Sequence, residues 1–95
     1  MSELLTLWDE HRNAGWPRFS DPREGELMTL DTVISGCVTF YLESEGGLDQ
    51  PRVEILESCL ADLEPLLPNL PDEAVEYFAR LQILARLLLE ASLPT

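Results

Sequence analysis

Two pairs of carboxylates stand out as groups that could do chemistry. Glu54-x-x-Glu57 and Glu73-x-x-Glu76 each set two acids three residues apart, which on a helix places both on one face. Carboxylates grouped in this way are oxygen donors for a hard divalent cation, and two such pairs facing each other could share one. The other reactive groups are few: one histidine, His11, and two cysteines, Cys37 and Cys59. A zinc site needs several Cys and His ligands, which this set does not supply. His11 falls with Leu4, Leu7 and Trp8 on the apolar side of its segment, where a hydrogen-bonded histidine at the edge of a core is the expectation rather than a general base. No nucleophile is spaced to meet it. Glycine-rich phosphate loops, Gly-x-Ser-x-Gly elbows and Cys-x-x-Cys pairs are absent from the sequence. The chain is therefore expected to hold no cofactor and no metal.

Whether the acid pairs can meet depends on the elements that carry them. They resemble, over four residues, the Glu-x-x-Glu pairs of all-helical nucleotide pyrophosphatases of the MazG type, and the resemblance implies a metal-dependent nucleotide hydrolase. Apolar spacing predicts helices over 50–64 and 71–91. If these run antiparallel about a turn near Asn69, Glu57 comes opposite roughly position 81, five or more residues from Glu73 and Glu76. That offset is at least ~7 Å at ~1.5 Å of rise per residue. The wheel of the third helix turns Val53, Leu56, Cys59, Leu60 and Leu63 inward and Glu54 and Glu57 outward. The acids Glu54, Glu57, Glu64, Asp72, Glu73 and Glu76 are therefore expected as a solvated acidic surface, and the protein as a non-enzyme.

The remaining elements are also helical by pattern. A first helix over 3–14 has Ser2 as its N-cap and Gly15 with Pro17 at its stop. A second, over 22–43, has Asp21 as an N-cap candidate with Pro22 at the first helical position, and Gly25 weakens its first turn so that regular helix could begin near Leu27. Its stretch Thr32 to Tyr41 (TVISGCVTFY) would also suit a strand. Leu27, Leu30, Ile34, Cys37, Val38 and Tyr41 recur at three and four, which selects the helix. Gly46-Gly47 mark a turn over 44–48, Asp49 caps the third helix with Pro51 in its first turn, and Pro65, Pro68 and Pro71 punctuate the next connection. These expectations describe an all-α, four-helix bundle-like fold, with residues 1–95 as a single acidic domain.

Charge bounds the partners. The chain carries 18 acids against 6 basic residues, for a net charge of -12. All six are arginine and there is no lysine. Such a surface repels phosphate backbones and anionic membranes, so no nucleic acid and no membrane are expected as partners. No apolar run approaches the ~20 residues of a membrane span, and Glu3 stands where a signal peptide would be basic, so the chain reads as cytoplasmic with reduced, buried cysteines.

Two surfaces carry more apolar character than a core requires. On the fourth helix, Ala74, Tyr77, Phe78, Leu81, Leu84, Ala85 and Leu88 form the expected core stripe, while Ala79, Ile83 and Leu87 form a second line that is a candidate dimer face unless the first helix and the GWPRFS linker cover it. In the linker, Trp16, Pro17, Arg18 and Phe19 combine a stiff backbone with side chains that dominate interface energies. They form an interaction loop, or else a lid if the two rings fold back. The leading functional expectation is an interaction module that binds a basic protein, such as a nuclease or DNA-binding regulator, through its acidic surface. In charge and size it is similar to small acidic helical immunity, antitoxin and anti-repressor proteins. The alternative is a structural or regulatory homodimer through the fourth helix.

Overall fold

The segment that could have been a strand is a helix. In the computed structural model, which describes residues 2–44 and 47–92, α2 runs Glu24–Glu43. It buries Leu27, Leu30, Ile34, Cys37 and Val38 along one side. Each large apolar side chain taken from water contributes about 1.5–3 kcal/mol, which outweighs the few tenths that β-branched residues cost a helix. α2 begins two residues later than the pattern suggested, because Asp21 does not cap it. The Asp21 carboxylate instead accepts from the backbone N of Arg23 at 2.8 Å and from its guanidinium at 3.0 Å. With Glu24 N donating to the Asp21 carbonyl at 3.0 Å, this turn closes on itself and leaves Arg23 as the N-cap, without a side-chain cap. Gly25 is accommodated within the first turn rather than delaying helix to Leu27.

α1 spans Ser2–Asn13 and α3 spans Gln50–Leu63. The side chain of Ser2, expected as the cap of α1, and Gly46 of the expected turn lie outside the described residues. Gly47 takes a positive φ of 76° at that turn, a conformation open to glycine at no steric cost. As expected, Asp49 caps α3 by accepting from the backbone N of Arg52 at 3.1 Å, with Pro51 in the first turn. The Arg52 guanidinium lies 3.8 Å above the Phe40 ring, tying the end of α2 to the start of α3 in an antiparallel hairpin. The proline-punctuated connection is itself ordered: Glu64–Asn69 forms a 3₁₀ helix that includes Pro65 and Pro68. α4 then runs Asp72–Ser92.

The fold is thus all-α, four helices packed around one cluster drawn from α2, α3 and α4, with Leu56, Leu63, Phe78, Leu81 and Leu88 fully buried in it. Leu48 and Leu70 close the cluster from the connections. α2 and α4 point the same way, since Asp31 meets Tyr77 near one end and Tyr41 and Leu42 meet Leu87 near the other. α3 returns between them, and α1 packs antiparallel on α4. α1 is the least embedded helix: its Leu4, Leu7 and Trp8 are half-buried, and among its described side chains His11 alone is buried. Cys37 and Cys59 are buried and unbridged, and burial pushes both thiols above the ordinary cysteine range. No helix among the described residues is long and apolar enough to cross a membrane.

Candidate functional site

α1 is clasped at one end and open at the other. At its C-terminal end the His11 ring, 4% exposed, faces the carboxylate of Asp31 on α2, with Nε2 2.7 Å from Oδ1. Tyr77 of α4 donates its hydroxyl to the other oxygen of Asp31 at 2.8 Å, so one carboxylate joins three helices. Tyr77 Oη is pushed well above its ordinary pKa, first by burial and then by donating to Asp31. Nδ1 of His11 is buried without a hydrogen-bond partner. A carboxylate accepting from two buried groups is costly to remove, because both partners are then stranded.

The aromatic linker seals this end. Trp16 and Phe19 pack edge-on against Phe78 at 5.6 and 6.0 Å between ring centroids, and Trp16 also meets Tyr77 at 5.5 Å. The indole Nε1–H donates to Glu24 at 3.2 Å. The loop residues singled out as an interaction surface therefore turn their rings inward as a lid, and of the four only Arg18 is exposed.

At the opposite end the helices diverge. Glu3, Leu4 and Leu5 of α1, Tyr41 and Leu42 of α2, and Leu87, Glu90 and Ala91 of α4 line an open groove of about 480 Å³. Leu5 and Leu42 are 37% and 42% exposed. The C-termini of α2 and α4 both reach this end, and neither carries a basic residue in its last turn. The partial negative charges of these two C-termini are offset by the positive N-termini of α1 and α3 at the same end, so the negative charge on the groove is that of Glu3 and Glu90.

Elsewhere five of the six arginines, all but Arg18, pair with nearby acids. Arg12 pairs with Asp9, Arg23 with Asp21, Arg52 with Asp49, Arg80 with Glu76 and Arg86 with Glu64. The bonds from Arg86 and then Gln82 hold the Glu64 carboxyl below the usual carboxylate range. Asp21 is likewise lowered by its bonds from the side chain and backbone of Arg23. These pairs consume the basic groups locally and leave Glu3, Glu43 and Glu90 without a basic side chain paired to them among the described residues.

The acid pairs are not brought together. Glu54 and Glu57 are exposed on α3, and Glu73 and Glu76 with Asp72 are exposed near the start of α4. Glu64 bonds to Gln82 and Arg86, so Glu57, two turns earlier in an antiparallel helix, lies still farther from Glu73 than a turn at Asn69 would give. Among the described residues no three His, Cys, Asp or Glu side chains gather as a metal-ligand set. The second apolar line of α4 is split: Ala79 and Leu87 are half-buried, Leu87 sharing the groove with α1, while Ile83 is 44% exposed.

The sequence pattern missed Asp31 and the groove. Asp31 was detectable, since it sits four residues after Leu27 and three before Ile34, an acid on the buried side of a helix that demands a partner. Leu42 carried the signal for the groove, as an exposed leucine one position beyond the core stripe. Comparison with protein-family models, with curated proteins and with solved structures finds no match to this chain.

Proposed function

We propose that the protein is a non-enzymatic interaction module that binds a basic partner protein at the end of the bundle where α1 begins and α2 and α4 finish. The observation that supports this reading is the coincidence there of an apolar groove, open among the described residues, with the carboxylates of Glu3 and Glu90 on its lining. Apolar surface supplies affinity, while the clustered negative charge supplies orientation and a fast encounter with a cationic protein. Neither feature alone would distinguish a binding end from a solubilised surface.

The test is retention of basic proteins on the immobilised chain at rising salt, compared with a Glu3→Gln, Glu43→Gln, Glu90→Gln triple variant. Retained proteins should be basic, should be released by a few hundred millimolar salt at about an 8 Å screening length and shorter, and should be retained poorly by the variant. Retention indifferent to salt and to the three substitutions would overturn the reading.

A homodimer through Ala79, Ile83 and Leu87 is the second reading, favoured by the exposure of Ile83. It has to bring two chains of charge -12 together, which costs association free energy at low salt.

A further inference from the structure

We infer that the groove between Leu5, Leu42 and Leu87 is the seat of an amphipathic, lysine- or arginine-bearing helical segment of the partner, with its apolar face in the groove and its cations over Glu3 and Glu90. This inference rests on the reading as an interaction module and assigns that module's partner a chemistry and a docking mode.

The occupant follows from what lines the groove. Leu4, Leu5, Leu42, Leu87 and Ala91 offer aliphatic surface, Tyr41 adds a ring, and the two charged residues are both acids. A volume of about 480 Å³ falls within the roughly 300–1,000 Å³ of sites that bury a ligand of drug size, which suits two or three large side chains presented together. Apolar residues at i, i+3, i+4 and i+7 of a helix present such a cluster. An anionic amphiphile, a fatty carboxylate or a phospholipid headgroup, would set its charge against Glu3 and Glu90. A second copy of this chain would bring a further -12. A cationic helix meets both requirements at once, and its own positive N-terminal end is attracted by the same field.

The probe is a synthetic helical peptide of about 16 residues, long enough for helix to be marginally stable alone, with leucine at i, i+3, i+4 and i+7 and lysine at most other positions. Its control is a scrambled peptide of identical composition. The isotopically labelled chain is titrated with each and followed by amide chemical shifts. The patterned peptide should shift Leu4, Leu5, Leu42, Leu87 and Ala91, and should bind at least tenfold more tightly than the scrambled one. Ala91→Trp fills the groove from an exposed position, and Leu42→Glu places a charge in it. Each should weaken binding at least tenfold while the thermal melt by circular dichroism stays cooperative.

Equal binding of both peptides, with shifts confined to Glu3, Glu43 and Glu90 and absent from the leucines, would overturn this inference and leave the reading as an interaction module at this end standing. Failure of both peptides to bind would overturn both. If removing residues 93–95 tightens binding tenfold or more, the occupant is the chain's own terminus. If sedimentation shows a dimer that Ala91→Trp dissociates, it is a second copy. Both of these results overturn the inference.

Discussion

The two ends of α1 solve opposite problems with one helix. Its C-terminal end is closed by a polar knot, in which one carboxylate takes bonds from His11 and Tyr77 beneath a lid of Trp16 and Phe19. Its N-terminal end stands apart from α2 and leaves leucines half wet between them. The contrast separates what holds the helix from what it offers. One hydrogen bond, from His11 to Asp31, and the packing of Leu4 and Trp8 on the core hold α1, and the exposed leucines at its other end remain available for another molecule.

The largest effect should come from the knot. Asp31→Ala strands the Tyr77 hydroxyl and the second ring nitrogen of His11, and should cost about 2–4 kcal/mol at an unchanged m-value in urea unfolding. A loss within about 0.5 kcal/mol would mean that α1 is held by its leucines and that the two ends do not differ in kind.

A smaller effect should appear in alkali. The folded pKa of Tyr77 is raised above the unfolded value of 10.0, so the folded state retains a proton that the unfolded state releases. The stability this represents is complete below about pH 10 and is lost as pH rises beyond it. Melting temperatures taken from pH 8 to 11.5 should fall more steeply above pH 10 for the native chain than for Tyr77→Phe. Equal slopes would show that the hydroxyl is free to ionise, and hence that the knot is loose.

The smallest effect should lie at the open end. Leu42→Ser removes a side chain already 42% exposed and should change stability by no more than about 0.5 kcal/mol. A cost of about 2–5 kcal/mol, the range for a buried leucine truncated to alanine, would mean that the groove is closed in solution.

Elements with regular apolar spacing were legible in the sequence, because burial of one helical face is a local pattern with a global reward. Val53, Leu56, Cys59 and Leu63 fell where the wheel put them, and so did Phe78, Leu81, Leu84, Ala85 and Leu88. The ends were less legible. Asp21 had the residues of a capping sequence, yet its carboxylate was taken by Arg23, since an Asx-type turn competes for the same acceptor. The 3₁₀ segment Glu64–Asn69 was read as a simple connection because prolines punctuate irregular and 3₁₀ backbone alike. His11 was expected with a hydrogen-bond partner at the edge of the core, and it has one. Which residue would supply it depended on how α1 and α2 cross, a relation between positions 20 residues apart that no periodicity encodes. The groove escaped for the same reason: it is a space where three helices diverge, and only their arrangement creates it.

Gly15 has a consequence for how the molecule opens. It follows directly after α1, and a side chain added there would meet nothing within 4 Å, while Trp16 just beyond it is anchored on Phe78. Gly15 therefore joins a helix whose apolar side chains are only half-buried to a lid that packs on the core. Detaching residues 2–13 here would break the His11–Asp31 bond and withdraw Leu4 and Trp8 from the core, while the buried cluster of α2, α3 and α4 keeps its own contacts. Local opening of this twelve-residue helix should cost less free energy than loss of the whole fold.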